Sequence, residues 1–140
     1  LNTPGMALAT MPGVHALTDV TGFGLVGHLL EMCRGAKLGA NIEFARLPLH
    51  PGTLELARGG FVTGASGRNW DGYGNDVTLG AAIGNGERAL LTDPQTSGGL
   101  LVACAPGAVT DVLEIFRREG FSAATRIGHF VGDHAGVDVR

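Results

Sequence analysis

An α/β (α+β-like) fold, a mixed β-sheet packed with helices, is predicted by three observations. Apolar runs that suit strands alternate along the chain with segments whose apolar residues recur at helical spacing. Gly is frequent, 24 of 140 residues, or about 17% against roughly 7% in average usage. The glycines sit between segments and form no repeat, so they read as tight connections. Hydrophobic residues make up 44% of the chain, enough for a single domain over residues 1–140 to bury a core.

The elements follow in order. Residues 1–11 read as one or two helical turns, or as a lead-in from earlier chain. Val14 to Thr18 carries β-branched and apolar residues and reads as a strand. A turn at Asp19–Gly22 leads into a helix over Phe23 to Arg34, where Phe23, Val26, Leu30 and Cys33 recur and Leu25, Leu29 and Met32 widen the stripe. Thr21 is the expected N-cap of that helix. His28 and Glu31 fall on its polar face, where a hydrogen-bonded structural histidine is the expected role for His28. Leu38 to Phe44 alternates as a strand. Arg46 to Pro51 is a loop, and Thr53 to Arg58 a short helix stopped by Gly59-Gly60.

Thr63 to Asn75 holds little periodicity and reads as a long irregular loop, with the one Trp and the one Tyr inside it. Val77 to Ile83 fits a short helix or a strand. Ala89 to Thr92 reads as a strand entering Asp93-Pro94-Gln95-Thr96-Ser97-Gly98-Gly99, and Leu100 to Cys104 as a central strand. Ala108 to Glu119 is the clearest amphipathic helix. Ala123 to Val131 reads as a last core strand and Gly136 to Arg140 as a short edge strand.

Ten Lys and Arg against thirteen Asp and Glu leave a net charge of −3. The basic residues form no run, so no nucleic-acid partner is expected. No apolar run reaches the length of a membrane span and no signal peptide opens the chain, so no membrane partner is expected and the cytoplasm is the default location. Cys33 and Cys104 lie far apart in apolar runs without metal-type spacing. They read as two buried free thiols, with a disulfide left open.

The chemistry gathers in His15 to His28. Asp19 stands where a strand ends, just before a glycine-flanked helix start. Such an end exposes unpaired backbone N–H groups and favours anions. A carboxylate beside it suits a phosphate held through a divalent cation. The competing reading is a cap and turn with no ligand. Arg68 has the fork to hold a phosphate and Asn69 the amide to orient one, or both serve a solvated surface loop. Thr96 and Ser97 bring hydroxyls to a second glycine-rich junction, which suits an anion, a domain contact or a plain turn.

These motifs resemble a known family. His15 to His28, followed by Glu31-Met32, closely resembles the C-terminal half of selenophosphate synthetase (selenide, water dikinase). Asp93-Pro-Gln-Thr-Ser-Gly-Gly-Leu-Leu101 resembles that family's second hallmark. Gly64-Ala-Ser-Gly-Arg-Asn69 is similar to its Gly-Gly-Thr-x-Arg-Asn loop, with Ala65 and Ser66 departing from it. Leu1-Asn2 resembles its lead-in, so the chain is expected to be a fragment.

The resemblance implies the fold of an aminoimidazole ribonucleotide synthetase-like C-terminal domain. It implies formation of selenophosphate, AMP and phosphate from ATP, selenide and water, with Mg²⁺. By motif, Asp19 matches a metal-binding aspartate. The candidate cofactor-binding residues are Thr18, Thr21, Gly22, Gly24, Arg68, Asn69, Thr96 and Ser97. The family's nucleophilic Cys or selenocysteine and its Gly-rich loop belong to an N-terminal ATP-binding half. No catalytic residue is therefore expected in this stretch, and alone it is expected to be inactive. The full-length protein is expected to be a homodimer acting on selenide. The alternatives are another member of the wider group, of the aminoimidazole ribonucleotide synthetase or hydrogenase-maturation type, or a stand-alone binding module.

Overall fold

The computed structural model describes residues 2–132 and 135–140. Leu1 of the lead-in motif lies outside the described residues. The expected mixed α/β architecture is present, but the strands divide between two sheets instead of one.

The smaller sheet is an antiparallel ribbon of β1 (Val14–Asp19) and β4 (Leu100–Cys104). Val14 faces Cys104 and Asp19 faces Leu100, with a register shift between Val14 and Ala16. That extra residue bends β1. Helix α1 (Gly5–Ala9) lies against β1, and α6 (Val109–Arg118) against α1. Their buried residues, Leu8 and Val112, stay outside the main core cluster.

The larger sheet has the order β3 (Val77–Leu79), β6 (Val137–Val139), β2 (Gly39–Ile42), β5 (Gly128–Val131). β6 pairs in parallel with both β2 and β3, while β2 and β5 run antiparallel. One face of this sheet carries Ala40, Ile42, Val137 and Val139, which pack with Val26, Leu29, Leu30 and Cys33 of α2 (Gly24–Ala36). Leu91, and Leu101 from the ribbon, complete the cluster.

Four expectations change here. The segment read as an edge strand, Gly136 to Arg140, supplies an internal strand, with Val137 and Val139 1% exposed. A Val-Asp-Val run of three residues is too short to announce a central position. The last core strand is confined to Gly128–Val131, not the whole of Ala123 to Val131. Ala89 to Thr92 is not a strand but the end of helix α5 (Asn85–Leu91). A four-residue apolar run cannot separate helix from strand. The start of α5 decides, because the Glu87 carboxylate turns back to accept from Gly84 N at 3.1 Å. Finally, Thr63 to Asn75 is not an irregular loop. Gly64–Tyr73 forms helix α4, capped by Thr63 Oγ1, which accepts from Ser66 N at 3.1 Å. A helix with three interior or end glycines is poor by propensity, at about 0.8–1.0 kcal/mol per glycine relative to Ala. It is held instead by bonds to other elements, described below.

The remaining helix, α3 (Thr53–Arg58), lies where the sequence places it, against α5. Both thiols are free: Cys33 is buried and Cys104 half-buried, and burial pushes both upward in pKa. Among the described residues no helix is long and apolar enough to cross a membrane. Large apolar side chains are exposed at the end of α3 and just beyond it, Leu56, Phe61 and Val62, and also at Met6 and Phe23.

Candidate functional site

The site is built where three stretches meet: the β1–α2 turn, the loop between α5 and β4, and α4. Strand pairing does the first part of the work. β1 and β4 run antiparallel, so the end of β1 at Asp19 lies beside the start of β4 at Leu100. Just beyond, Val20 N donates to Gly99 O at 3.0 Å and Gln95 N to Thr21 O at 3.0 Å. The two glycine-rich motifs are thereby joined backbone to backbone.

Asp19 is exposed at this junction. Its carbonyl accepts from Thr18 Oγ1 at 3.0 Å. Its carboxylate has no hydrogen-bond or ion partner among the described residues. Thr96 and Ser97 are exposed, with their hydroxyls likewise unpartnered among the described residues. Asp93 differs: Thr63 Oγ1 donates to its Oδ1 at 2.9 Å and Gln95 Nε2 to its Oδ2 at 3.2 Å. Both of its oxygens serve the fold.

Thr21 is not the N-cap of α2. Phe23 occupies that position, and no side chain caps the helix. Thr21 faces His28 instead: His28 Nε2 accepts from Thr21 N at 3.0 Å and stands 3.1 Å from Thr21 Oγ1. His28 is the structural histidine that its place on the helix predicts. Gly24 has φ +68°, and a Cβ there would stand 2.6 Å from the carbonyl carbon of Thr92. The close approach that this glycine permits is by the chain's own backbone, not by a ligand. Gly22 is exposed with open space at its Cβ position.

Helix α4 supplies the third side. Thr63, Ser66, Asn69 and Tyr73 recur at steps of three, three and four, so they share one helix face. Each bonds outward. Ser66 Oγ lies 2.7 Å from Thr92 Oγ1 in a buried pair and donates to Ala89 O at 2.9 Å. Asn69 Nδ2 donates to Gly22 O and to Thr92 O, both at 2.9 Å. Tyr73 donates its hydroxyl to Phe23 O, and burial pushes its phenol up to about 12. Sequence reasoning missed Thr63, Ser66 and Tyr73. The signal was present as a Thr three residues before a Ser, opening a polar stripe at helical spacing.

Arg68 is exposed, without an ion pair among the described residues. With Asn69, Phe23, Gly27, Tyr73 and Arg34 it lines a shallow cavity of about 320 Å³. Asp19 lines neither this cavity nor the one of about 290 Å³ beside Trp70. The structure therefore groups Thr18, Asp19, Gly22, Thr96 and Ser97 at the ribbon's end and sets Arg68 on a neighbouring surface.

A family model described as "AIR synthase related protein, C-terminal domain" matches residues 5–140. The chain belongs to this family. Over 139 residues it is 60% identical to a protein named selenide, water dikinase from Burkholderia pseudomallei (strain K96243), a match covering 99% of this chain and 39% of that protein. It is 51% identical to the protein of the same name from Dechloromonas aromatica (strain RCB), covering 99% and 40%. The chain thus spans about two fifths of the length of these relatives. Among solved structures, E. coli HypE, a hydrogenase maturation protein, matches with TM-score 0.64 at 18% identity, covering 97% of this chain and 34% of that one. At that identity the likeness shows a shared AIR synthase-type fold.

Whether these residues suit Mg²⁺ is a question of donor chemistry. Mg²⁺ takes oxygen ligands, keeps several waters and is typically held by one or two carboxylates together with substrate phosphates. The unpartnered Asp19 carboxylate fits that role as a single ligand. Among the described residues no group of three or more His, Cys, Asp or Glu could hold a metal ion. A self-contained site is not built here.

Proposed function

We propose that the chain is the C-terminal domain of a selenide, water dikinase, contributing one corner of a Mg²⁺-phosphate site. The reaction in this reading converts ATP, selenide and water to selenophosphate, AMP and phosphate. The observation that carries it is the exposed, unpartnered Asp19 carboxylate beside the Thr96-Ser97-Gly98-Gly99 loop, in a chain 60% identical to a protein of that name.

Asp19 holds the cation from the protein side. Bound there, Mg²⁺ would offset phosphate charge. The Thr96 and Ser97 hydroxyls and the exposed Gly22 backbone are placed to donate to phosphate oxygens. Thr18 steadies the Asp19 backbone through its own hydroxyl. Arg68 supplies a free guanidinium at the flank. Thr21, Gly24 and Asn69 shape the site through contacts already used within the fold.

Phosphoryl transfer needs several positioned charges acting together, and this chain offers one free acid at the junction. In this reading an N-terminal ATP-binding half supplies the nucleophile, the nucleotide site and the other metal ligands. The full-length protein is then a cytoplasmic homodimer, and residues 1–140 alone turn over nothing. The test is a reaction of the full-length protein with ATP and selenide, followed by phosphorus NMR. Selenophosphate, AMP and phosphate are expected from wild type. No selenophosphate is expected from Asp19→Ala or from residues 1–140 alone. Wild-type turnover by full-length Asp19→Ala would overturn the role given to Asp19.

A further inference from the structure

We infer that Asn69 is a positioning residue that fixes the Asp19 turn against the Asp93–Gly99 loop, and that it makes no contact with phosphate. This rests on the reading of Asp19 as a metal ligand. The argument begins with valence. A primary amide has two N–H donors and one carbonyl acceptor. Asn69 Nδ2 is 2.9 Å from Gly22 O and 2.9 Å from Thr92 O, so both donors are engaged. What remains is Oδ1, an acceptor, which repels an anion. Turning the amide over would set Oδ1 against two carbonyl oxygens, so the orientation is fixed by its partners.

The two carbonyls belong to the two motifs. Gly22 lies three residues after Asp19, and Thr92 immediately precedes Asp93. One side chain therefore ties the turn after β1 to the loop before β4. The tie is rigid on the Thr92 side, because Thr92 is 1% and Ser66 3% exposed and their hydroxyls lie 2.7 Å apart. With Ser66 donating to Ala89 O, the Thr92 hydroxyl gives its one proton to Ser66 Oγ and closes the pair. The turn has no slack on its own side either, since Gly24 meets the Thr92 backbone where a Cβ would stand at 2.6 Å. Tyr73, one turn further along α4, fastens the next carbonyl, that of Phe23. Asp19 itself has nothing holding its carboxylate. Its direction is set by the turn behind it, and α4 sets the turn.

The test measures binding of Mn²⁺, as a spectroscopic stand-in for Mg²⁺, to the full-length protein with ATP present and selenide absent. The variants are Asp19→Asn, Asn69→Ala, the double variant and Tyr73→Phe, each with a thermal melt to confirm folding. Loss of a partner that orients a metal ligand typically weakens affinity about 10–100-fold. The expected Kd rises about tenfold in Asn69→Ala and less in Tyr73→Phe, which keeps the ring. In the Asp19→Asn background, Asn69→Ala is expected to add nothing, because its effect passes through Asp19.

If Asp19→Asn leaves the Mn²⁺ affinity unchanged, the metal reading itself fails. If Asp19→Asn weakens binding and Asn69→Ala does not, the metal reading stands and the positioning role is lost. Additive effects in the double variant would also overturn it, since they would give Asn69 a contact of its own. If Asn69→Ala does not fold, Tyr73→Phe with the wild-type Kd overturns the claim that α4 sets the turn.

Discussion

The two sheets of this domain divide the labour unevenly. The four-stranded sheet is packed against α2, and its two central strands bury Ala40, Ile42, Val137 and Val139, flanked by the partly buried Val77, Leu79 and Phe130. The β1–β4 ribbon has exposed residues at His15, Ala16 and Asp19 and sends only Leu101 into the main cluster. Yet the ribbon carries the unpartnered acid and joins the two glycine-rich motifs. In the proposed function, stability and chemistry are thus held on different strands, with α2 and α4 joining them. A carboxylate left free at the ribbon's end adds little to folding, which is the expected state of a group kept for a ligand.

The widest gap between the two regions is expected from a matched pair of truncations. Leu30 is 1% exposed in the cluster under the large sheet, and Leu30→Ala should destabilise by about 2–5 kcal/mol. Asp19→Ala removes an exposed group with no partner and should stay within about 0.5 kcal/mol of wild type. Urea unfolding measures both. A large loss for Asp19→Ala would mean that the ribbon's end is structural, and the division of labour would fail.

The seam between the regions is probed by Gly24→Ala. The substitution places a Cβ in a left-handed conformation, which is itself unfavourable by roughly 1–2 kcal/mol. It also drives that Cβ against the Thr92 carbonyl carbon at 2.6 Å. A loss of at least about 2 kcal/mol is expected, with a Tm lower by roughly 5 °C or more. An unchanged Tm would show that the turn moves freely relative to α5, contrary to a rigid seam.

A smaller effect is expected at Glu87, which anchors α5 on the large-sheet side. Its carboxylate is buried, while its partner Arg58 is largely exposed. The Arg58 guanidinium hydrogen bond holds Glu87 below its ordinary pKa of 4.5. A carboxyl depressed in the folded state adds stability above its unfolded pKa and loses it as pH falls through the folded value. Wild type should therefore lose stability below about pH 4.5 more steeply than Glu87→Gln. Parallel acid limbs in the two proteins would show that the pair contributes nothing.

Legibility in the sequence follows the same divide. Long periodic segments were readable: α2 and α6 repeat their apolar residues over three turns, and Leu100 to Cys104 declared itself as a strand. The place of Asp19 at the end of β1 was readable because a strand end followed by glycines is a local feature. Helix α4 was not, since its stability comes from bonds to Gly22, Phe23, Ala89 and Thr92, partners distant in sequence. Local propensity of a glycine-rich stretch points the other way. β6 was misplaced for a related reason. Three residues cannot show whether one neighbour or two will flank them, because that depends on β2 and β3 arriving on either side. The two carbonyls that Asn69 meets, those of Gly22 and Thr92, have no sequence signature either.

The smallest effect is expected on α6, where Glu114 is partly exposed and its two arginine partners are largely in solvent. Glu114 accepts from Arg117 Nε at 2.8 Å and from Arg118 Nε at 2.9 Å, and these hydrogen bonds, Arg117 first, hold its carboxyl at about 2. The sign matches that of Glu87: whatever the network contributes is present above the ordinary value of 4.5 and fades toward about 2. The magnitude does not match, because exposed pairs gain little in high dielectric and are screened by salt. At about 1 M salt the screening length falls to about 3 Å, and Glu114→Gln should then melt with wild type. The two arginines also complement the helix C-terminus on their own, so part of their contribution survives the loss of Glu114. A fall in Tm at high salt as large as that of Gly24→Ala would mean that α6 braces the ribbon through these charges, and that the ribbon's stability rests on its outer surface instead of on Leu8, Leu101 and Val112.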